Sequence, residues 1–186
     1  MKKRECPDLY QIKFWPKGNP DEVYFGKVER YDSEAEKYWK ERQLIVSDAI
    51  TGNVQLVPFD EIEYEKQPLE WGKYDKETRM PISTEYDRHI FKAYKEHKKR
   101  DEKAGEGLHV HRMFSMPVAD GNACYVVTKV NKKTCKIEWR NFGADQYTDR
   151  ILGWGGTFPI DIIADQLHYA DGMRKLFGKK EVEEVA

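Results

Sequence analysis

Residues 123–140 of this chain read ACYVVTKVNKKTCKIEWR, and this stretch decides the fold of the second half of the protein. Two β-prone runs, 123–130 and 134–140, flank the polar sequence Asn131-Lys132-Lys133. A short polar sequence between two runs rich in β-branched and aromatic residues is typical of a β-hairpin. We therefore predict an antiparallel hairpin here.

The second run alternates between apolar and charged residues, so its side chains divide between the two faces of a strand. The apolar face holds Cys135, Ile137 and Trp139. The charged face holds Lys136, Glu138 and Arg140. This alternation predicts that Trp139 lies in a core and that the charged side chains reach solvent.

The three cysteines, Cys6, Cys124 and Cys135, include no C-x-x-C pair, and an odd number is a poor framework for disulfides. In the predicted hairpin Cys124 lies opposite Arg140 and Cys135 lies opposite Lys129, so the two thiols do not face each other. We predict reduced, structural cysteines.

The first third of the chain alternates between β-prone runs and short connections. The runs occupy residues 9–15, 22–30, 43–49, 53–59 and 62–65. A capping-box sequence, Ser33-Glu34-Ala35-Glu36, predicts a short helical insert that ends near Arg42. Pro58-Phe59-Asp60-Glu61 predicts a tight turn before the last strand.

This order of strand, hairpin, tight turn and short last strand over residues 9–66 resembles the SH3-like and Sm-like small β-barrels. The resemblance implies a binding function, since such barrels bind peptides or nucleic acid. The high aromatic content, 13% of residues, also suits narrow barrels filled by a few large side chains.

We predict an α+β, mainly β protein with two small SH3-like β-barrel units joined by a basic helix, and with a C-terminal helix. The predicted divisions are residues 1–66 (barrel with the helical insert), 67–82 (linker), 83–103 (basic amphipathic helix), 104–180 (second β-rich unit with the C-terminal helix) and 181–186 (tail).

The basic helix has a start signal at Thr84-Glu85-Tyr86-Asp87. Its predicted buried face, set by spacings of four, four and three, consists of Tyr86, Ile90, Tyr94 and His97. Its other face is basic.

Charge is segregated along the chain although the net charge is only −1. Residues 21–66 hold twelve acids and six bases, whereas residues 88–103 hold seven bases and three acids. The predicted hairpin adds a second basic cluster. Lysines and arginines grouped on one element are the sequence signature of phosphate contacts.

We therefore expect a non-enzymatic binding protein that contacts nucleic acid or a nucleoprotein complex through the helix and the hairpin. The expected phosphate contacts are Arg88, Lys92, Lys95, Lys98, Lys99, Lys129, Lys132, Lys133, Lys136 and Arg140.

The alternative is a protein–protein interaction module, such as an inhibitor or accessory factor of a nucleic-acid-handling enzyme from a mobile element. Its acidic N-terminal region would dock on a basic protein partner. The residues expected to do so are Asp60, Glu61, Glu63 and Glu65. A third reading is a small hydrolase of unrecognised type.

No catalytic motif, cofactor or metal site is predicted. His109 and His111 share one face of a predicted strand, but neither a third ligand at zinc spacing nor a cysteine pair accompanies them. The loop 153–158 lacks the Lys-Ser/Thr pair of a phosphate loop. We predict instead a turn that lets Trp154 pack on the second barrel.

The chain shows no run of ~20 apolar residues that would span a bilayer. Its N-terminus, Met1 to Pro7, lacks the apolar stretch of a signal peptide. We predict a cytoplasmic protein without a membrane partner.

Overall fold

The computed structural model describes residues 7, 9–29, 38, 42–68, 72–119, 121–142 and 148–178, with residues 173–178 described by their backbone alone. The chain divides into two compact units, Met1–Ala93 and Tyr94–Ala186. The boundary falls inside a helix.

The first unit contains an antiparallel five-stranded sheet. Its strands are β1 (Gln11–Pro16), β2 (Tyr24–Val28), β3 (Gln43–Asp48), β4 (Val54–Pro58) and β5 (Ile62–Lys66). Their order in the sheet is β4-β3-β2-β1-β5, with a 3-10 turn at Phe59–Glu61 before the last strand. The tight turn predicted from Pro58 to Glu61 is thus confirmed.

One apolar cluster forms the core of the first unit, drawn from all five strands and the 3-10 turn. Phe59 of that turn is fully buried. The cluster consists of Ile12, Phe14, Val28, Leu44, Val46, Val57, Phe59 and Ile62. Because side chains alternate along a strand, residues two apart such as Ile12 and Phe14 enter the same core.

Helix α1 (Glu85–Ala104) begins at a reciprocal cap, which confirms the predicted start signal. The Asp87 backbone N–H donates to the Thr84 hydroxyl at 3.0 Å, and the Thr84 N–H donates to the Asp87 carboxylate at 3.0 Å. The cap satisfies N–H groups that a helix start leaves unpaired. Tyr86 and Ile90 are buried, as the spacing predicts.

The second unit contains an antiparallel four-stranded sheet and a helix. Its strands are β6 (Met113–Val118), β7 (Gly121–Val130), β8 (Thr134–Arg140) and β9 (Gly155–Pro159), in the order β6-β7-β8-β9. Helix α2 (Ile160–Gly178) follows. Ile163, Leu167 and Ala170 of this helix join the core that holds Cys135, Ile137 and Trp139.

These elements confirm an α+β, mainly β protein. Over the described residues neither sheet closes into a barrel. The expected linker contains a hydrogen-bonded turn, in which the Asp75 N–H donates to the Met80 carbonyl and Tyr74 pairs with Pro81. The helix expected from Ser33 lies outside the described residues, and no helix within them is long and apolar enough to cross a membrane.

The β7–β8 hairpin is confirmed, with one correction to its register. Cys124 lies opposite Arg140, as predicted, but Cys135 lies opposite Val130 and not Lys129. A β-bulge between Val127 and Lys129 adds one residue to β7 and shifts the pairing toward the turn by one position. Cys124 and Cys135 are both free thiols.

Gly155 supports the β8–β9 pairing because β9 approaches the β8 backbone too closely for a side chain. Its φ is +94°, and an added Cβ would lie 2.5 Å from the Ile137 carbonyl oxygen. We expect Gly155→Ala to lower the free energy of unfolding by ~3 kcal/mol or more, since a left-handed φ and a backbone clash act together.

Gly105→Ala is the matched control, because Gly105 has a φ of +86° in the same unit but nothing within 4 Å of an added Cβ. It bears only the conformational cost of ~1–2 kcal/mol. Urea unfolding of both variants measures the difference, and equal losses would show that the close approach at Gly155 is not present.

Candidate nucleic-acid interface

Three exposed lysines lie at the tip of the β7–β8 hairpin. The turn is closed by the Asn131 N–H, which donates to the Thr134 carbonyl at 2.8 Å, and by the Asn131 amide, which donates to the Thr134 hydroxyl at 3.2 Å. The lysines are Lys129, Lys132 and Lys133. In the described part of the chain no acidic side chain pairs with any of them. The tip therefore presents three cations on a fixed backbone.

Lys129 and Lys136 lie directly opposite each other on β7 and β8. Like charges in this position destabilise a sheet, by roughly 0.2–1 kcal/mol. Both side chains are exposed, which lets the ammonium groups separate in water. An anion bound between them would remove this repulsion.

Lys136 and Arg140 share the solvent face of β8 with Glu138, and both bind its carboxylate. The Lys136 ammonium lies 2.8 Å from one oxygen, and the Arg140 guanidinium lies 2.7 Å from the other. These bonds, that of Lys136 first, hold the pKa of Glu138 below its usual value. Glu138 therefore neutralises part of the positive charge of the face.

The expected basic side chains of helix α1 divide between the two units at Ala93. Arg88 and Lys92 belong to the first unit, where the Arg88 guanidinium donates to the carbonyl oxygens of Ser83 at 2.8 Å and Ile82 at 3.4 Å. In the second unit Lys95 and Lys99 are exposed. Their neighbour Lys98 is half-buried and lies 3.9 Å from Glu102.

A histidine pair that the sequence interpretation did not use lies beside the second half of α1. The His97 ring centroid is 6.1 Å from that of His111 and 5.4 Å from that of Phe142. Burial lowers the pKa of His97, and the positive charges of Arg140 and Arg100 lower it further. His97 is therefore neutral at pH 7, and its buried Nδ1 has no partner among the described residues.

His109 and His111 do not share a strand face, contrary to expectation, because both precede β6 in a turn. The Arg112 N–H donates to the His109 carbonyl at 3.1 Å, and His111 has a φ of +75°. A histidine in this left-handed conformation has no sequence signal strong enough to find it. The described residues contain no group of three or more side chains suited to hold a metal ion.

The acidic side chains of the alternative interface are exposed at the β5 edge of the first sheet. Asp60 binds the Arg42 guanidinium through both carboxylate oxygens, and Glu65 lies 4.0 Å from the Lys13 ammonium. Two of the four charges are thus partly neutralised. The other two are Glu61 and Glu63.

The turn around Trp154 differs from its expectation. The indole contacts Trp139, but 66% of the Trp154 side chain remains exposed. Trp139 itself is buried, as predicted.

Comparison of the chain with protein-family models, with curated proteins and with solved structures found no match.

The Glu138 contacts lead to a prediction about polyanion binding. Glu138→Gln removes the charge that holds Lys136 and Arg140, so the variant should leave a heparin column at higher salt than the parent protein. Its stability should change little, because partly exposed ion pairs contribute about 0–1 kcal/mol.

Glu106→Gln is the control, because it makes the same change of charge at an exposed position of the same unit. If both variants shift the elution salt equally, the effect is one of net charge and the face around Glu138 is not the binding surface.

Proposed function

We propose that this protein binds nucleic acid, alone or within a nucleoprotein complex, and does so without catalysing a reaction. The observation that carries the proposal is the hairpin tip. Lys129, Lys132 and Lys133 are exposed there on a hydrogen-bonded turn, and Lys129 lies opposite Lys136. Fixed cations without acidic partners favour binding to a polyanion, because bound phosphates release their condensed counterions.

Lys95 and Lys99 add exposed cations from helix α1 in the same unit as the hairpin. Contacts of this kind fix the position of a protein on a phosphate backbone but do not read the base sequence. The proposed binding is therefore general with respect to sequence, and its affinity depends steeply on salt.

The first unit supports a binding function by its resemblance to SH3-like barrels. We propose that it belongs to this class, because β1 lies between β2 and β5 and a 3-10 turn precedes β5. The resemblance is not extended to the second unit, whose sheet has the order β6-β7-β8-β9.

The test removes the three charges of the tip. A Lys129→Gln, Lys132→Gln, Lys133→Gln variant should bind a mixed-sequence 12-nucleotide strand more weakly than the parent protein. Each lost phosphate contact reduces the slope of log affinity against log salt by ~0.7–0.9, so the slope should fall by about two. Fluorescence anisotropy at several salt concentrations measures it.

The control is Lys17→Gln, Lys73→Gln, Lys76→Gln, which removes the same charge from exposed lysines of the first unit. Equal slopes for the two triple variants would contradict the assignment to the hairpin. A parent protein that does not bind at physiological salt, and instead captures a basic protein through Glu61, Glu63 and Glu65, would replace the proposal with the protein-docking alternative.

A further inference from the structure

Trp154 is a large aromatic side chain that the fold fixes in place but leaves open to solvent. It is 66% exposed, whereas Trp139 beside it is 4% exposed. The two rings meet in a T-shaped arrangement with centroids 5.1 Å apart. The Trp139 N–H donates to the Trp154 carbonyl at 3.3 Å, so the two residues are neighbours across β8 and the start of β9.

The backbone before Trp154 is held by the side chain of Asp149. Its Oδ1 accepts the N–H groups of Ile151 at 2.7 Å and Leu152 at 3.0 Å. The Gly153 N–H donates to the Asp149 carbonyl at 2.8 Å. Leu152 is buried in the core and anchors the turn from below.

The buried Tyr125 hydroxyl ties this turn to the sheet. It donates to the Gly153 carbonyl at 2.7 Å and accepts the Asp149 N–H at 2.9 Å. Burial raises the pKa of Tyr125 to about 12, so the hydroxyl keeps its proton at neutral pH and can donate. The turn is therefore ordered before any ligand arrives, and a ligand that contacts Trp154 bears little of the entropy cost of ordering it.

Gly153 leaves the approach to Trp154 unobstructed. Its φ is +52°, and nothing lies within 4 Å of the place where a Cβ would stand. An exposed indole with a bare backbone beside it suits a flat ligand that stacks on the ring.

We propose that Trp154 is a stacking platform for an unpaired nucleobase, so that the nucleic acid bound by this protein is single-stranded. This inference rests on the proposed function, because the lysines of the same hairpin supply the charge complementarity. In a duplex the faces of the bases are covered by their neighbours, whereas every base of a single strand offers a face to an aromatic side chain.

The distances along β8 are compatible with one strand touching both places. Thr134 borders the lysine tip and Trp139 neighbours Trp154, and five steps of ~3.3 Å separate them, roughly 17 Å. Sites for single strands extend over ~4–16 nucleotides, so a strand of ordinary site size reaches from the tip to the indole. Phosphates bind at one end and a base stacks at the other.

The test compares Trp154→Ala with the parent protein on a 12-nucleotide single strand and on the duplex of the same sequence. Loss of one stacked base corresponds to ~1–3 kcal/mol, so single-strand affinity should fall about 5- to 150-fold. Duplex affinity should stay within about twofold. The salt slope should not change, because no charge is lost. Trp154→Phe should retain most of the affinity, since it keeps an aromatic face.

The possible outcomes separate this inference from the proposed function. Unchanged single-strand affinity in Trp154→Ala, with the lysine-tip variant still weakened, would overturn the stacking platform and leave the proposed function standing. An equal loss on duplex and single strand would overturn the preference for single strands. If the parent protein binds neither form, both proposals fall. The unfolding midpoint of each variant checks that the fold is intact.

Discussion

The inward position of Cys135, Ile137 and Trp139 on β8 is the constraint on which the second unit depends. Burial of large apolar side chains contributes about 1.5–3 kcal/mol each, and a slip of one residue would move them into water and carry Lys136, Glu138 and Arg140 into the core. The opposed pair Lys129 and Lys136 costs only ~0.2–1 kcal/mol, so the core prevails and holds two like charges together. A cationic surface is thus a consequence of how the core is packed.

Charge and aromatic exposure are arranged at different places on this sheet. Glu138 binds Lys136 and Arg140 in the middle of β8, while the tip at Lys132 and Lys133 has no acidic partner among the described residues. Trp154 borders the other end of the same strand. The arrangement suits a flexible, charged chain with exposed bases better than a compact anion, because contacts are spread along the strand.

The sequence predicts those features that depend on local pattern. Alternation on β8 predicts the burial of Trp139, the spacing on α1 predicts the burial of Tyr86 and Ile90, and Thr84 with Asp87 predicts the helix start. It does not predict features that depend on tertiary contacts. The bulge after Val127 has no local signature, and the exposure of Trp154 follows from a turn that Tyr125, 24 residues before Asp149, fixes through its hydroxyl. Sheet closure likewise depends on long-range pairing, and the predicted barrels are not seen over the described residues.

Titration of the ¹⁵N-labelled full-length protein with a 12-nucleotide single strand, followed by NMR, tests the central claim most directly. The account predicts that backbone amides of residues 129–136 and the Trp154 indole N–H shift together along one saturating curve. Amides of β5 around Glu63 and Glu65 should stay in place, because their side chains would repel phosphates. Shifts confined to β5, or no shift at the hairpin tip at saturating strand, would contradict the assignment of this hairpin as the nucleic-acid-binding element.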